Sequence, residues 1–276
     1  MARDEVTAAK VEWGPASDVR LRGGAVLPTI GFGTWRLSGD TGYDSIRAAL
    51  DVGYRHIDTA TMYGNEAQVG RAVRDSGIPR DKIFITTKLP EGRSGQERRT
   101  LEESLRELGT DYVDLWLVHW PPGGVAAPAT WREFIAARQR QAVTAIGVSN
   151  YSIAQIDELI RATGEVPAVN QVPWSPTHHD PGVLAALRDR GVVVEGYSPL
   201  KACDFGDPTL VSVAESHAVT VAQVVLRWHL QHGIVIIPKS ARAERIRANL
   251  DLAGFTLTDA EMDRVDRIAV RPGPPR

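Results

Sequence analysis

The stretch HIDTATMYGNE (residues 56–66) brings an aspartate, Asp58, and a tyrosine, Tyr63, close together behind a short run of β-forming residues. Two further polar side chains close runs of the same kind: Lys88 near the end of IFITTKL and His119 at the end of VDLWLVH. A phenol has an ordinary pKa of about 10, too high for an efficient acid at neutral pH, and a neighbouring ammonium favours the phenolate and lowers that value. Lys88 can supply that charge. A lone buried ammonium is costly, and Asp58 is placed to pair with it and hold it. His119 can hydrogen-bond a substrate oxygen and fix its direction. Such a set delivers a proton to an oxygen that gains negative charge, as a carbonyl oxygen does when hydride reaches its carbon.

For these four to meet, the chain must bring three strand ends to one rim. Eight short apolar runs recur: TIGFGT (29–34), HIDTA (56–60), IFITTKL (83–89), VDLWLVH (113–119), AIGVSN (145–150), AVNQV (168–172), VVVEGYS (192–198) and IVIIPKS (234–240). Between them lie segments with helical apolar spacing, several ending in a glycine suited to a helix C-cap. Near-continuous apolar strands separated by helices predict a parallel sheet covered on both faces, and eight βα units predict a (β/α)8 TIM barrel. The long gap before the eighth strand predicts two helices, DPTLVSVAESHAV and TVAQVVLRWHLQHG, and TDAEMDRVDRIA predicts another after the eighth unit. In a barrel the C-terminal strand ends carry the chemistry, so Asp58, Lys88 and His119 share a mouth, and Tyr63 leans over it from the next loop, with Asn65 expected to cap the following helix and Glu66 to be structural at its N-terminus. A doubly wound dinucleotide fold would require G-x-G-x-x-G at its first turn. GFGTWR has Arg36 where the third glycine belongs.

The 276 residues are 43% hydrophobic and 24% charged, enough for a large core in one barrel domain, residues 19–270, with a polar N-terminal extension (1–18) and a short tail (271–276). A formal net charge of −2 with both signs mixed along the chain gives no footprint for nucleic acid or an anionic membrane. Cys203 is the only cysteine, which excludes an internal disulfide framework and suits a reducing cytoplasmic setting. No signal-peptide core or membrane span is read in the sequence. His56, His217, His229 and His232 are expected to be structural, and the adjacent His178 and His179 do not form the H-x-H of a metal barrel, so no metal is expected. A monomer is expected.

The motifs GFGTW, GYRHIDTATMYGNE, FITTKL, DLWLVHWP, AIGVSNY, VNQV, GYSPL and IPKS, in that order, resemble the aldo-keto reductase family over about residues 20–268. The resemblance implies a (β/α)8 barrel that reduces aldehydes and ketones with NADPH, or less often NADH. It implies Asp58, Tyr63, Lys88 and His119 as a catalytic tetrad with Tyr63 as proton donor. It further implies that Ser149, Asn150 and Gln171 hydrogen-bond the nicotinamide carboxamide and that Tyr197 stacks on its ring, with Thr34, Ser198 and Leu200 also at the cofactor. Lys239, Ser240 and Arg245 match positions that hold the adenosine 2′-phosphate, and Asn249 one that contacts adenine. Two cations and a hydroxyl suit such a phosphate, so NADPH is expected over NADH.

The chain departs from the family pattern at Ala248, where glutamate is common, at PWSP (173–176) and at Lys201, and the last two changes are expected around the mouth. Trp35, Met62 and Trp120 are expected to wall the pocket and favour apolar carbonyl substrates. The tail VRPGPPR suggests a more open pocket of broad selectivity, closest to the bacterial-type branch with diketo-gluconate and broad aldehyde reductases. Two other readings use the same residues. Lys88 at a strand end would suit a Schiff-base lyase, and a cofactor-binding sensor or accessory subunit would retain the cofactor motifs without turnover.

Overall fold

A computed structural model describes residues 17–201 and 203–268. Most of the expected extension (1–16) and the tail (271–276) lie outside the described residues. The first element was not anticipated from the sequence. Strands β1 (Asp18–Arg20) and β2 (Val26–Pro28) pair antiparallel, Val19 facing Leu27. Gly23 and Gly24 form the turn at φ 94° and 96°, where a side chain would be strained.

The eight expected strands then follow as β3 (Phe32–Gly33), β4 (His56–Asp58), β5 (Phe84–Leu89), β6 (Val113–Val118), β7 (Val143–Ser149), β8 (Val169–Pro173), β9 (Val193–Tyr197) and β10 (Val235–Ile236). Each pairs parallel with the next. The sheet also closes on itself: Ile30 bridges Ile236, Gly31 N donates to Ile236 O at 2.7 Å, and Gly33 N donates to Pro238 O at 3.1 Å. This is the (β/α)8 barrel that the sequence predicts.

Helices α1 (Gly39–Val52), α2 (Glu66–Asp75), α3 (Glu97–Leu108), α4 (Pro128–Gln139), α5 (Ile153–Thr163) and α6 (Pro181–Asp189) each follow one strand. Both α7 (Pro208–Ser216) and α8 (Val221–Gln231) fill the gap before β10, and α9 (Ala243–Leu250) and α10 (Asp259–Asp266) come after it. The expected extra helices are therefore present. Among the described residues no single helix is long and apolar enough to cross a membrane.

Strand alternation divides the side chains between two apolar layers. Ile57, Ile85, Trp116, Val118, Ile146, Val148, Val194 and Ile236 face the helices, where the Trp116 and Phe134 rings stack with centroids 3.7 Å apart. Phe84, Leu115, Leu117, Ala145, Val169 and Val235, from five strands, instead pack with Val19, Leu21, Ala25 and Leu27 of the hairpin. Several of these open their strands, so the hairpin seals the N-terminal end of the barrel. The interior has no room to spare: a Cβ on Gly147 would stand 2.7 Å from both the Leu117 side chain and Val169 O. The same alternation carries upward to Asp58, Lys88, His119, Ser149, Gln171 and Tyr197. The sealed floor leaves these polar residues at the open end.

Candidate active site

Lys88 is fully buried, and its ammonium donates to Asp58 Oδ1 at 2.7 Å, Asp58 Oδ2 at 2.8 Å and Thr59 O at 2.8 Å. The expected ion pair is therefore formed. Asp58 is itself fixed from behind, since Thr34 donates to Asp58 O through both its amide, at 3.0 Å, and its hydroxyl, at 2.9 Å. Residues Thr61–Tyr63 make one 3-10 turn closed by Gly64 at φ 64°, and the Thr61 hydroxyl donates to Lys88 O at 2.9 Å. That turn sets the Tyr63 ring with its centroid 5.2 Å from Lys88 Nζ and 5.7 Å from the His119 ring centroid, edge to face. His119 is held by its amide, which donates to Leu89 O at 3.0 Å. Four side chains from β4, β5, the end of β6 and the loop after β4 thus share one mouth.

The electrostatics refine the sequence expectation. Burial raises the Tyr63 phenol above its ordinary value; Lys88 opposes this, chiefly through its charge, and Asp58 adds to the rise. Lys88 acts in the expected direction, but burial outweighs it in the protein alone, so Tyr63 is a protonated phenol here. Burial alone would lower Lys88, but the Asp58 carboxylate and then Tyr63 overcome it and leave Lys88 raised, hence an ammonium. Burial and then the Lys88 charge lower His119 to about 3, so its ring is neutral at ordinary pH.

Two other buried histidines behave alike: burial lowers His56 to about 3 and His229 to about 4. Each of the three rings is neutral when folded and protonates near 6.5 when unfolded, so the unfolded state binds more protons below that value. Their contribution is fully present above pH 6.5 and is lost as pH falls toward 3–4. Glu195, raised to about 8 by burial and by Asp58, already holds a proton in the folded state at pH 6–5 that the unfolded carboxylate lacks, and this offsets about one histidine. Urea unfolding is expected to show a loss of about 2 kcal/mol between pH 6 and pH 5. An unchanged unfolding free energy would show that these rings are not neutral in the fold.

Around the same mouth the expected carboxamide ligands form one network. Ser149 Oγ donates to Gln171 O at 2.9 Å; Asn150 Nδ2 donates to Ser149 Oγ at 2.9 Å and to His119 O at 3.1 Å; Tyr197 OH donates to Asn150 Oδ1 at 2.9 Å. Asn150 and Ser198 hold left-handed backbone at φ 63° and 53°, as does Arg36 at φ 61°, all in loops that leave strands at this face. Leu200 is half-buried in the loop after β9. Thr34 is placed differently from its expected role: it is fully buried with its hydroxyl given to Asp58 O, so it anchors the tetrad rather than lining the opening.

At the end of β10, Lys239 and Arg245 are exposed and Ser240 half-buried, and Ser240 Oγ accepts from the Arg242 amide at 3.1 Å just before α9. Asn249 lies on the buried side of that helix with Ile246. Trp35 and Met62 are large apolar side chains left open to solvent at the mouth, and Trp120 is half-buried beside His119. Of the large hydrophobics that are exposed among the described residues, Val125 and Phe205 also sit on loops that follow strands, after β6 and β9. Phe205 escaped the sequence reading, because a single apolar residue in a loop carries no periodic signal.

Two further sequence expectations need revision. Lys201 does lie at the mouth, its Nζ 5.6 Å from the Trp35 ring centroid, with the Arg36 guanidinium 4.3 Å from the same ring. PWSP does not simply line the opening: Trp174 is buried and its carbonyl faces His229 Nε2 at 2.9 Å. Asn65 precedes α2 without a side-chain cap; its amide instead donates to Thr34 O and Leu37 O and its carbonyl accepts from Thr59, tying the loop after β3 to β4. Glu66 remains structural, accepting from Thr87 at 2.6 Å and Ser104 at 3.1 Å. Glu195, buried beside Gln171, was overlooked, although VVVEGYS places it on the same inward parity as Tyr197.

Comparison with known proteins gives a consistent picture. The model of the aldo/keto reductase family matches residues 29–203 and 206–270. Morphine 6-dehydrogenase of Pseudomonas putida is 40% identical over 275 residues, 93% of each chain. The crystal structure of an aldo/keto reductase from Brucella melitensis superposes with a TM-score of 0.88 at 40% identity, covering 91% of this chain and 97% of that one. An aldo-keto reductase of Bombyx mori, solved in complex with NADP, has a TM-score of 0.86 at 32% identity, with 91% and 92% covered.

Proposed function

The chain belongs to the aldo/keto reductase family of oxidoreductases, and on that premise we propose that it reduces aldehydes and ketones with NADPH, using Tyr63 as the proton donor. The observation that carries this reading is the buried Lys88–Asp58 pair set against a protonated Tyr63 and a neutral His119 at the open end of the barrel. Bound NADPH would supply hydride to the carbonyl carbon. Charge then develops on the carbonyl oxygen, which His119 directs and Tyr63 protonates. Lys88 stabilises the phenolate left behind, and Asp58 keeps Lys88 charged and in place. An alkoxide is a stronger base than a phenolate, so this transfer runs downhill even from a phenol raised by burial.

The residues present fit the cofactor. The network of Ser149, Asn150 and Gln171 offers donors and acceptors for a carboxamide, and Tyr197 beside them offers an aromatic face. Exposed Lys239 and Arg245, with Ser240 between them in sequence, form a local cationic patch for a 2′-phosphate in a chain of nearly neutral charge. Asn249, on the buried side of α9, is assigned to the adenine end of the same site. The apolar rim of Trp35, Met62 and Trp120 favours hydrophobic carbonyl compounds. The Bombyx mori protein was solved in complex with NADP, and the Pseudomonas relative is named a dehydrogenase, the reverse direction of carbonyl reduction.

NADPH oxidation against a panel of aldehydes, α-diketones, keto sugars and aryl ketones tests the reading directly. The absence of carbonyl-dependent oxidation with every class would refute it, and would favour a cofactor-binding accessory role. Arg245→Ala is expected to weaken NADPH binding by about tenfold or more, the worth of a charge-assisted hydrogen bond. NADH binding should change by less than about twofold, because NADH lacks the phosphate that Arg245 would contact. Fluorescence titration with both cofactors checks this, and equal losses for the two would remove Arg245 from the phosphate site.

A further inference from the structure

Below the tetrad lies a second carboxyl that the reaction does not use. Glu195 occupies the middle of β9, fully buried, and is the register partner of Gln171 on β8. The Gln171 amide nitrogen donates to Glu195 Oε2 at 2.7 Å and to Asp58 Oδ2 at 2.8 Å. This double contact decides which way round the amide sits. Asp58, paired with Lys88, is a carboxylate whose oxygens accept and cannot donate, so the atom against it must be the NH2 group, and Oε1 is turned elsewhere. No described residue donates to that oxygen, so it remains an open acceptor beside Ser149, Asn150 and Tyr197.

We propose that Glu195 is a positioning residue for the cofactor: it holds the Gln171 amide nitrogen against itself and Asp58, so that Gln171 Oε1 is presented to an N–H of the nicotinamide carboxamide. The inference rests on the reading of the site as NADPH-binding. Asp58 takes only one of the two amide hydrogens, and Glu195 supplies the acceptor for the other. With Glu195 removed, the amide can turn about its terminal torsion and set a donor against the donor of the carboxamide. Burial, then the Asp58 carboxylate, raises Glu195 and leaves it uncharged, which avoids a second negative charge beside the Lys88–Asp58 pair. A neutral acid still has one oxygen to accept from Gln171. Its other oxygen, Oε1, lies 3.6 Å from His56 Nε2.

The test has one arm without cofactor and one with it. In the free protein the Gln171 side-chain amide protons, followed by 15N-resolved hydrogen exchange, are expected to be protected. Glu195→Val should remove most of that protection, whereas Glu195→Gln, which keeps an acceptor oxygen, should preserve it. In NADPH titrations Glu195→Val is expected to weaken binding by about five- to tenfold, the worth of one hydrogen bond, with Glu195→Gln close to the unsubstituted protein. In a Gln171→Ala background Glu195→Val should add nothing. Additive losses, or unchanged amide protection in Glu195→Val, would overturn the proposal. If the valine variant does not fold, Glu195→Ala carries the same expectations. A wild-type protein that bound no NADPH would refute the reading of the site, and the amide measurement would still decide whether Glu195 holds Gln171.

Discussion

Replacing Tyr63 with phenylalanine is expected to lower kcat for carbonyl reduction by about 10²–10⁴, the usual worth of a positioned general acid. NADPH affinity should stay within about twofold, because the hydroxyl belongs to the proton-transfer step and the ring that packs edge to face with His119 is kept. The reverse reaction, alcohol oxidation with NADP+, should fall by a similar factor, since Tyr63 must then accept the alcohol proton as the phenolate that Lys88 stabilises. Steady-state rates in both directions with a fluorescence titration of the cofactor check this. Retention of more than about a tenth of wild-type turnover would move the acid elsewhere in the mouth, with His119 the next candidate despite its neutral ring.

The second large effect concerns Lys88. Lys88→Met removes the only ammonium that touches Asp58 among the described residues and leaves a carboxylate in the interior with Gln171 as its remaining side-chain donor. Breaking one side of a buried pair costs about 3–5 kcal/mol, so urea unfolding should report a loss of that size alongside near-complete loss of turnover. Lys88→Met combined with Asp58→Asn separates the two roles. The double variant has no orphaned charge and should recover most of the stability, yet it should stay inactive because nothing stabilises the phenolate of Tyr63. Recovered turnover in the double variant would show that the pair is a structural strut and not part of the reaction.

Most of the site was legible in the sequence because strand-end chemistry depends on two simple facts, parity along a strand and order around a barrel. Asp58, Lys88 and His119 each sit at the end of an apolar run, and once the runs are strands of one closed sheet their meeting is geometric. Asn150 and Tyr197 were picked out by the family resemblance instead, since spacing alone gave them no role. The rest depended on pairings that no local pattern encodes. Thr34 and Asn65 look like cofactor contact and helix cap, but both are used to pin Asp58 and the first loop. Glu195 is a single charge in an apolar strand, and only the register that sets it beside Gln171 gives it a partner. The opening hairpin was missed because its strands are three residues each, too short for alternation to stand out. The net rise of the Tyr63 phenol was hidden for another reason: charge is visible in a sequence, whereas depth of burial is not.

The seam of the barrel also bears on how the protein comes to exist. The bonds that close it join Gly31 and Gly33 to residues near Ile236, about 200 residues away, and the hairpin floor includes Val235. Contacts of such long sequence separation form late, after most of their loop-closure entropy has been lost. A chain leaving the ribosome therefore holds the seam edge of β3, and the side of the β1–β2 hairpin that meets Val235, unmatched until nearly all the rest has been made. During that interval the Lys88–Asp58 pair lies in an unfinished sheet with water on its inner face. Sealing the seam is the step that dries the interior and turns an ordinary ion pair into a reactive one.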